Sequence, residues 1–506
     1  MVFSKTKSTQ KIKWAIIGSG VAGLASAIRL RALGAEVDVF ESNSFPGGKL
    51  SEFTFSGFRF DAGPSLFTMP QWLQELFEIH KKDFKAYFQY QNLKESCLYF
   101  YEDGTRIHGY CDKENFAREI SLKTMDTEKS VLDFFLYSQT IYKITNPIFL
   151  QRSLHRISTY FSGQIIPSIL GLPKIDALRN MNKANETFFK DPKTIQIFNR
   201  FATYNGSNPY LAPATLNVIS HLENHFGAYF PVKGMVSIIK SMEQLALDCG
   251  VKINYNQPVE EILLKKNKVQ GIRVSGEFLP YNGVISNMDI YHTYHQLLPK
   301  FKNPKKTLAR ERSSSALIFY WGINREFPDL GLHNIFFSGN YKLEFEAIKE
   351  RSIDEDPTIY INITSKLKKD DAPLGMENWF TMINVPANTG QNWDDLIIKS
   401  RKSILKKLSR ILNLDIEACI VAEKILDPRL IEQRTSAYQG SLYGSSSNHS
   451  FAAFFRHPNF THLAKGLYFS GGSVHPGGGI PLALLSAKIT TGLISKIERL
   501  KDEEKF

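Results

Sequence analysis

Lys13-Trp14-Ala15-Ile16-Ile17-Gly18-Ser19-Gly20-Val21-Ala22-Gly23-Leu24, continued through Ala25 to Glu41, is the stretch that decides the fold. Trp14 to Ile17 is a short apolar run and reads as a buried parallel strand. It enters a glycine turn, after which Leu24, Ala27, Ile28, Leu30 and Leu33 recur at helical spacing. Gly34 then closes the helix, as a glycine past the last turn does. A second strand, Glu36 to Phe40, ends at Glu41. In this order Gly18 permits a tight turn, Gly20 lets the backbone approach a pyrophosphate, and Gly23 lets helix and strand pack closely. Ala22 lies in the same turn. The pyrophosphate sits at the helix N-terminus, where free N–H groups and the dipole favour an anion. Glu41 is placed to accept from ribose hydroxyls. A glycine pattern alone is weak, but here strand, turn, helix, strand and acid follow one another without interruption.

The whole chain has 506 residues, with 62 Lys and Arg against 50 Asp and Glu, a formal charge of +12. At roughly 150 residues per domain the length suggests about three domains, or one or two intertwined ones. A hydrophobic share of 43% and a charged share of 22% exclude a disordered tail protein and a disulfide miniprotein. Cys97, Cys111, Cys249 and Cys419 show no CxxC spacing and read as reduced thiols of a cytoplasmic protein. Met1 to Lys13 is polar and basic, without the apolar region of a secretory signal. By the criterion of about 20 apolar residues no stretch is expected to span a membrane. The nearest, Ile157 to Pro173, is uncharged but carries Ser158, Ser162, Gly163, Gln164 and Pro167. The expectation is a soluble or membrane-surface protein. The positive balance suits an anionic lipid surface, and no nucleic-acid partner is expected, since no basic stripe interleaved with aromatics occurs. The 37 Phe, 21 Tyr and 5 Trp pack a core or line an apolar passage.

Beyond Glu41 comes a second glycine pair, Phe45-Pro46-Gly47-Gly48-Lys49, and then Phe60-Asp61-Ala62-Gly63-Pro64-Ser65-Leu66. These residues resemble the FAD signature of amine oxidase-like flavoproteins, which implies that Gly48 and Lys49 contact the FAD phosphates. The carboxyl end reads Gly466-Leu467-Tyr468-Phe469-Ser470-Gly471-Gly472-Ser473-Val474-His475-Pro476-Gly477-Gly478-Gly479-Ile480-Pro481. Physically this is a strand, a glycine-rich turn and a helix N-terminus, which stabilises negative charge on a flavin ring. It closely resembles the carboxyl-terminal FAD motif of the bacterial-type phytoene desaturase family of carotenoid desaturases. The resemblance implies FAD contacts at Gly63, Pro64, Ser65, Leu66, Gly472, Ser473, Gly479, Ile480 and Pro481. It extends to Tyr204–Tyr210, to Glu223–Met235 (with Lys233 where the family more often has glycine), and to Phe454–Pro458. Val259 looks like the contact on the adenine side, and Val284 to Asp289, with Asn287, resembles another family segment. Gly63–Thr68 and His333–Phe337 look most like the 1-hydroxycarotenoid 3,4-desaturases of flavobacterial type.

The implied fold class is α/β: a Rossmann-like FAD-binding domain interleaved with a substrate domain of antiparallel sheet plus helices, the amine oxidase-like architecture. The flavin pieces are expected at 1–85, 225–295 and 420–506, and the substrate-binding, possibly membrane-associating pieces at 86–224 and 296–419. The first inserted piece is rich in helical pattern. The second reads as strands at Ala316–Gly322, Thr358–Thr364 and Trp379–Val385, part of a six-stranded antiparallel floor, followed by an amphipathic helix from Asn392 to Leu412. The Ser-rich run Ser441–Ser450 borders the flavin site in this reading. Asn146 to Ile175 has two readings: two core helices broken at Pro167, or a monotopic membrane patch whose apolar groups, among Ile148, Phe149, Leu150, Leu154, Ile157, Tyr160, Phe161, Ile165, Ile166, Ile169 and Leu170, dip into lipid beside Arg152, Arg156 and Lys174.

The resemblance implies oxidation of a C–C bond next to a polyene, with a hydride passing from an allylic carbon to flavin N5 and a proton leaving the neighbouring carbon. A delocalised cation needs no strong acid, so no metal and no triad is expected. His475 either shuttles the proton or packs beside the flavin. Glu223 is a second candidate, and both Glu223 and His225 also suit plain hydrogen bonding. Introduction of a C3–C4 double bond at a 1-hydroxylated carotenoid end is the leading expectation. Phytoene desaturase and carotenoid isomerase are alternatives on the same fold, and a flavin amine oxidase or a prenyl-lipid escort are alternatives of other classes. Quinone or oxygen is expected as electron acceptor, and the cytoplasmic face of the membrane as location.

Overall fold

The computed structural model describes residues 12–160 and 165–498. The amino-terminal segment to Lys11 and residues Phe161, Ser162, Gly163 and Gln164 therefore lie outside the described residues. The opening stretch folds as read: strand β1 (Lys13–Ile17), helix α1 (Val21–Ala32) and strand β2 (Glu36–Phe40). Their sheet has five strands, in the spatial order 467–469, 283–286, β1, β2, 252–254. Each neighbouring pair is parallel. In chain order this is the doubly wound arrangement, whose direction reverses between β1 and strand 283–286. A crevice forms beyond the carboxyl ends of the strands at such a point.

Helix Ile480–Glu498 packs on α1. Lys488 and Arg29 both reach Glu75, at 2.9 Å each, and so tie this helix and α1 to helix Gln71–Glu78. The expectation that no stretch is apolar enough to span a membrane is corrected here. Ile480–Ile497 meets that test by length and composition, but 61% of it is buried inside the protein.

The second sheet has seven strands, in the order 420–426, 315–323, 377–385, 359–362, 333–336, 95–100, 106–110. This corrects the expected six-stranded antiparallel floor in two ways. Strands 95–100 and 106–110 come from the first inserted segment, which is not only helical, and 333–336 runs parallel to 95–100. Strand Ile420–Leu426, grouped by sequence with the flavin pieces, hydrogen-bonds along 315–323 instead. The pleat then divides the sheet's side chains. Trp321, Trp379, Phe336 and Phe100 point to the face covered by helix Trp393–Leu412. Tyr320, Phe380, Tyr360, His333 and Tyr99 share the opposite face, as their registers show: Tyr320 opposite Phe380, Asn362 opposite His333, Ile335 opposite both Tyr360 and Tyr99.

Arg59 joins the two halves. Its guanidinium meets Asp61 at 2.6 Å, Glu52 at 2.8 Å and Asp371 at 3.1 Å. Gly234, at φ +80°, lies over it so closely that a Cβ would stand 2.6 Å from the guanidinium nitrogens. Lys233 beside it points outward and leaves that turn intact.

The 146–175 segment partly departs from both readings. Pro167 sits in the first turn of helix Ile166–Gly171, where proline is tolerated, rather than at a break between two helices. Ile148, Leu150, Leu154 and Ile165 are buried, whereas Ile166 and Leu170 are 55% and 75% exposed.

Candidate functional site

Gly18 adopts φ +94° and donates its N–H to the Phe40 carbonyl at 2.8 Å. A Cβ on Gly23 would come within 2.0 Å of the Gly18 carbonyl oxygen, and one on Gly20 within 2.8 Å of Asn287 Oδ1. Gly23 therefore requires glycine, and a side chain at Gly20 would have to displace the Asn287 amide. Asn287 crosses the reversal point: its amide donates to Ile17 O at 2.8 Å and its Nδ2 to Ser470 O at 2.9 Å, which leaves Oδ1 against the glycines. Ala22 is buried behind them. Glu41 is buried too; Oε2 accepts from both Ser19 N and Ser19 Oγ at 2.8 Å, and Oε1 from Asn43 N and Nδ2 at 2.9 Å. Gln257 N donates to Glu41 O, which brings the strand that begins at Val259 to this end of the cradle.

The second glycine pair closes on the first. Gly20 and Gly47 form a parallel bridge, and a Cβ on Gly48 would point at Gly20 Cα from 4.0 Å. Gly63 packs so tightly that a Cβ would stand 1.9 Å from Lys49 O. Lys49 Nζ donates to Leu442 O at 2.8 Å and Ser441 O at 3.1 Å, so the Ser-rich run does border this site. Burial, offset by Asp289 and reinforced by Arg312, pushes the Lys49 ammonium down to about 8. Arg312 pairs with Asp289 at 3.2 Å. Arg456 is buried and bonded to carbonyls: Tyr443 O at 2.8 Å, Ser445 O at 2.9 Å and Gly472 O at 3.0 Å. Burial and then Arg312 pull its guanidinium down to about 10. Asp289 acts on Lys49 and pairs with Arg312, while Arg456 is bonded to carbonyls, and this positive surplus suits a diphosphate or an electron-rich ring. Sequence reasoning missed Arg312 and gave Arg456 no role, because each acts through carbonyls or partners far along the chain.

The carboxyl turn completes the cradle. A Cβ on Gly472 would meet Gly478 Cα at 3.2 Å. Ser473 Oγ accepts from Ile290 N at 3.0 Å, which locks the turn to the strand 283–286 side. Gly479, exposed and at φ +102°, opens the helix that Ile480 and Pro481 begin. The glycine loops, the helix N-termini and the positive surplus fit FAD. His475 is placed differently from a proton shuttle. It is fully buried, its Nε2 is bonded to Arg152 O at 2.9 Å, and its ring packs on Phe149 and His155. Burial pushes its imidazole down to about 3. A base so weak is poorly matched to proton transfer near neutrality.

On the substrate side, Tyr320 OH donates to Ala62 O at 2.8 Å, and Ser65 Oγ bonds Tyr360 OH at 2.7 Å. Pro64 and Leu66 flank Ser65. Tyr360 OH in turn bonds His333 Nδ1 at 2.7 Å. Glu223 is buried; Tyr204 OH donates to it, and Arg200 Nη2 reaches it at 3.4 Å and Tyr99 OH at 2.9 Å. Each of its oxygens already has a protein donor, so hydrogen bonding within the fold is its evident role. His225 stacks on His221, with centroids 4.6 Å apart.

The model for the family described as flavin containing amine oxidoreductase matches residues 21–494. The chain is 50% identical, over 95% of its own length and 98% of the relative's, to the 1-hydroxycarotenoid 3,4-desaturase of Flavobacterium sp. (strain P99-3). It is 32% identical, over 94% and 96%, to the 4,4'-diapolycopene oxygenase of Methylomonas sp.. A solved putrescine oxidase variant superposes with a TM-score of 0.64 at 14% identity, covering 97% of this chain and 100% of that one, and so shares the fold. FAD is the cofactor of this protein. The chain belongs to the flavin containing amine oxidoreductase family, among its carotenoid desaturases and oxygenases.

Proposed function

We propose that this protein is an FAD-dependent 1-hydroxycarotenoid 3,4-desaturase. The observation that carries the reading is half identity along 95% of the chain to a protein of that name. FAD, when bound, supplies the hydride acceptor for oxidation of the C3–C4 bond. Gly20 and Gly48 bring backbone close to its diphosphate, Gly23 lets α1 pack against the end of β1 beside it, and Glu41 holds the ribose end. Lys49, Arg312 and Arg456 supply positive charge around the loops that face the ring. Tyr320 and Tyr360 fix Ala62 and Ser65 against the sheet, so the substrate bond is positioned between a rigid floor and the cofactor loops.

The substrate is collected from a bilayer at the cytoplasmic face. Supporting this are the exposed Ile166, Leu170 and Leu172. His155 Nε2 bonds Phe454 O at 3.1 Å, which joins this segment to the exposed Phe451, Phe454 and Phe455. Arg310 lies 4.1 Å over the Phe455 ring, a cation at the rim of an apolar surface. Quinone or oxygen takes the electrons afterwards. The test supplies liposomes loaded with a 1-hydroxylated carotene or with phytoene and follows the absorption shift of the product. Gain of one conjugated bond in the hydroxylated substrate is expected; equal turnover of phytoene overturns the assignment.

A further inference from the structure

We infer that His333 is the receptor for the substrate's tertiary hydroxyl, donating a hydrogen bond from Nε2 to the C1 oxygen. The inference rests on the desaturase reading. It begins with an unpaired donor. Asn362 Nδ2 donates to Leu332 O at 2.9 Å, which fixes the amide so that the same nitrogen faces His333 Nδ1 at 3.1 Å. Nδ1 is therefore assigned as the acceptor, its single lone pair facing the Asn362 amide with the Tyr360 hydroxyl sharing the contact, and the ring proton is assigned to Nε2. That N–H is buried, in a residue only 4% exposed, and has no hydrogen-bond partner among the described residues. Buried donors are rarely left unmatched, because the group has lost water and gained nothing. The imidazole stays neutral, since burial, reinforced by Arg200, pushes it down to about 3. It therefore offers a donor without the cost of a buried charge.

Position supports the same assignment. His333 stands on the sheet face that carries Tyr320 and Tyr360, the residues bonded to Ala62 and Ser65. Ser65, Tyr360 and His333 form one chain of hydrogen bonds, each contact 2.7 Å long. In a 1-hydroxylated acyclic end the oxygen is only three bonds from C3, so its receptor has to lie beside the loops that hold the reacting bond. A donor two hydrogen bonds from Ser65 meets that requirement. A long hydrocarbon offers few other handles, and an unpaired polar group in the site rejects an end without oxygen as strongly as it welcomes one with it.

The test compares 1-hydroxylated and 1-deoxy carotenoids of equal polyene length, using wild type, His333→Phe and His333→Gln, all flavin-loaded. Gln keeps an N–H near the Nε2 position. In wild type the hydroxylated substrate should lead in kcat/KM. His333→Phe should cut that lead by about tenfold to a hundredfold, chiefly through KM, and His333→Gln should restore part of it. The bound flavin's absorption band should shift on adding the hydroxylated carotenoid to wild type and to His333→Gln, and less with His333→Phe. If the phenylalanine variant does not accumulate, His333→Leu takes its place. Undiminished selectivity in the variant lacking the N–H overturns the His333 assignment alone. A wild type that acts on neither carotenoid overturns the desaturase reading, and the assignment with it.

Discussion

Glu41 holds Ser19 by two hydrogen bonds to one oxygen, from the amide and from the hydroxyl, each 2.8 Å long. The carboxylate at the end of β2 thus sets the shape of the glycine turn at the end of β1. Glu41→Ala removes the acceptor and strands the Ser19 and Asn43 donors, a cost of about 1–3 kcal/mol. FAD affinity should fall tenfold or more, and Glu41→Gln should lie between. Fluorescence titration of apoprotein with FAD measures this; unchanged affinity in Glu41→Ala would contradict the ribose-side role.

Gly23 provides a test in which the sign is decisive. In an ordinary helix, glycine to alanine stabilises by about 1 kcal/mol. Here the added Cβ would stand 2.0 Å from Gly18 O, and backbone has to move to admit it. Gly23→Ala should therefore lower the melting temperature and the FAD content of the purified protein together. A melting temperature equal to or above wild type counts against the packing described.

Much of the flavin half was legible in the sequence because its chemistry is local. Gly18, Gly20, Gly23 and Glu41 follow one another along one strand, turn, helix and strand, and each physical need selects one residue type. Asn287 could be found only as part of a family segment, because its task, filling the space before Gly20, exists only after strand 283–286 lies beside β1. The substrate half was less legible. Strand 95–100 places Cys97 and Tyr99 on one face, with Tyr101 continuing it just past the strand's end, but Leu98 and Phe100 are apolar too, so the alternation that marks a half-exposed strand is lost when both faces are covered. The polar chain Ser65–Tyr360–His333 is contributed by three distant segments, and no spacing announces it.

The buried histidines predict acid sensitivity. His475, His333 and His457 have imidazoles pushed down by burial to about 3, 3 and 4. An unfolded histidine titrates near about 6.5. Above that pH both states are neutral and nothing is gained or lost. Below it the unfolded chain takes up protons that the folded chain refuses, so stability falls as pH falls, until the folded values are reached. One such histidine costs about 2 kcal/mol at pH 5 relative to pH 7. Melting temperature should drop steadily between pH 6.5 and 4. His475→Gln should flatten that slope even if it lowers stability at pH 8. An unchanged slope would mean that His475 is protonated in the folded protein.

The lipid surface is tested by separating its apolar part from the enzyme's core. Ile166 and Leu170 lie on the same short helix and are mostly exposed, whereas Ile165 beside them is fully buried. Replacing the first two by serine removes apolar area that lies mostly on the outside, so stability should change by less than about 1 kcal/mol. Transfer of exposed side chains of this size into lipid contributes about 1.5–3 kcal/mol each. The double variant should therefore lose at least tenfold in binding to anionic vesicles, measured by co-sedimentation, while its flavin content and melting temperature stay near wild type. Ile165→Ser is the contrast: it should destabilise the fold by creating a buried unsatisfied hydroxyl and a cavity. If the exposed pair can be replaced without loss of vesicle binding, the docking surface lies elsewhere, and Phe451, Phe454 and Phe455 are the next residues to change.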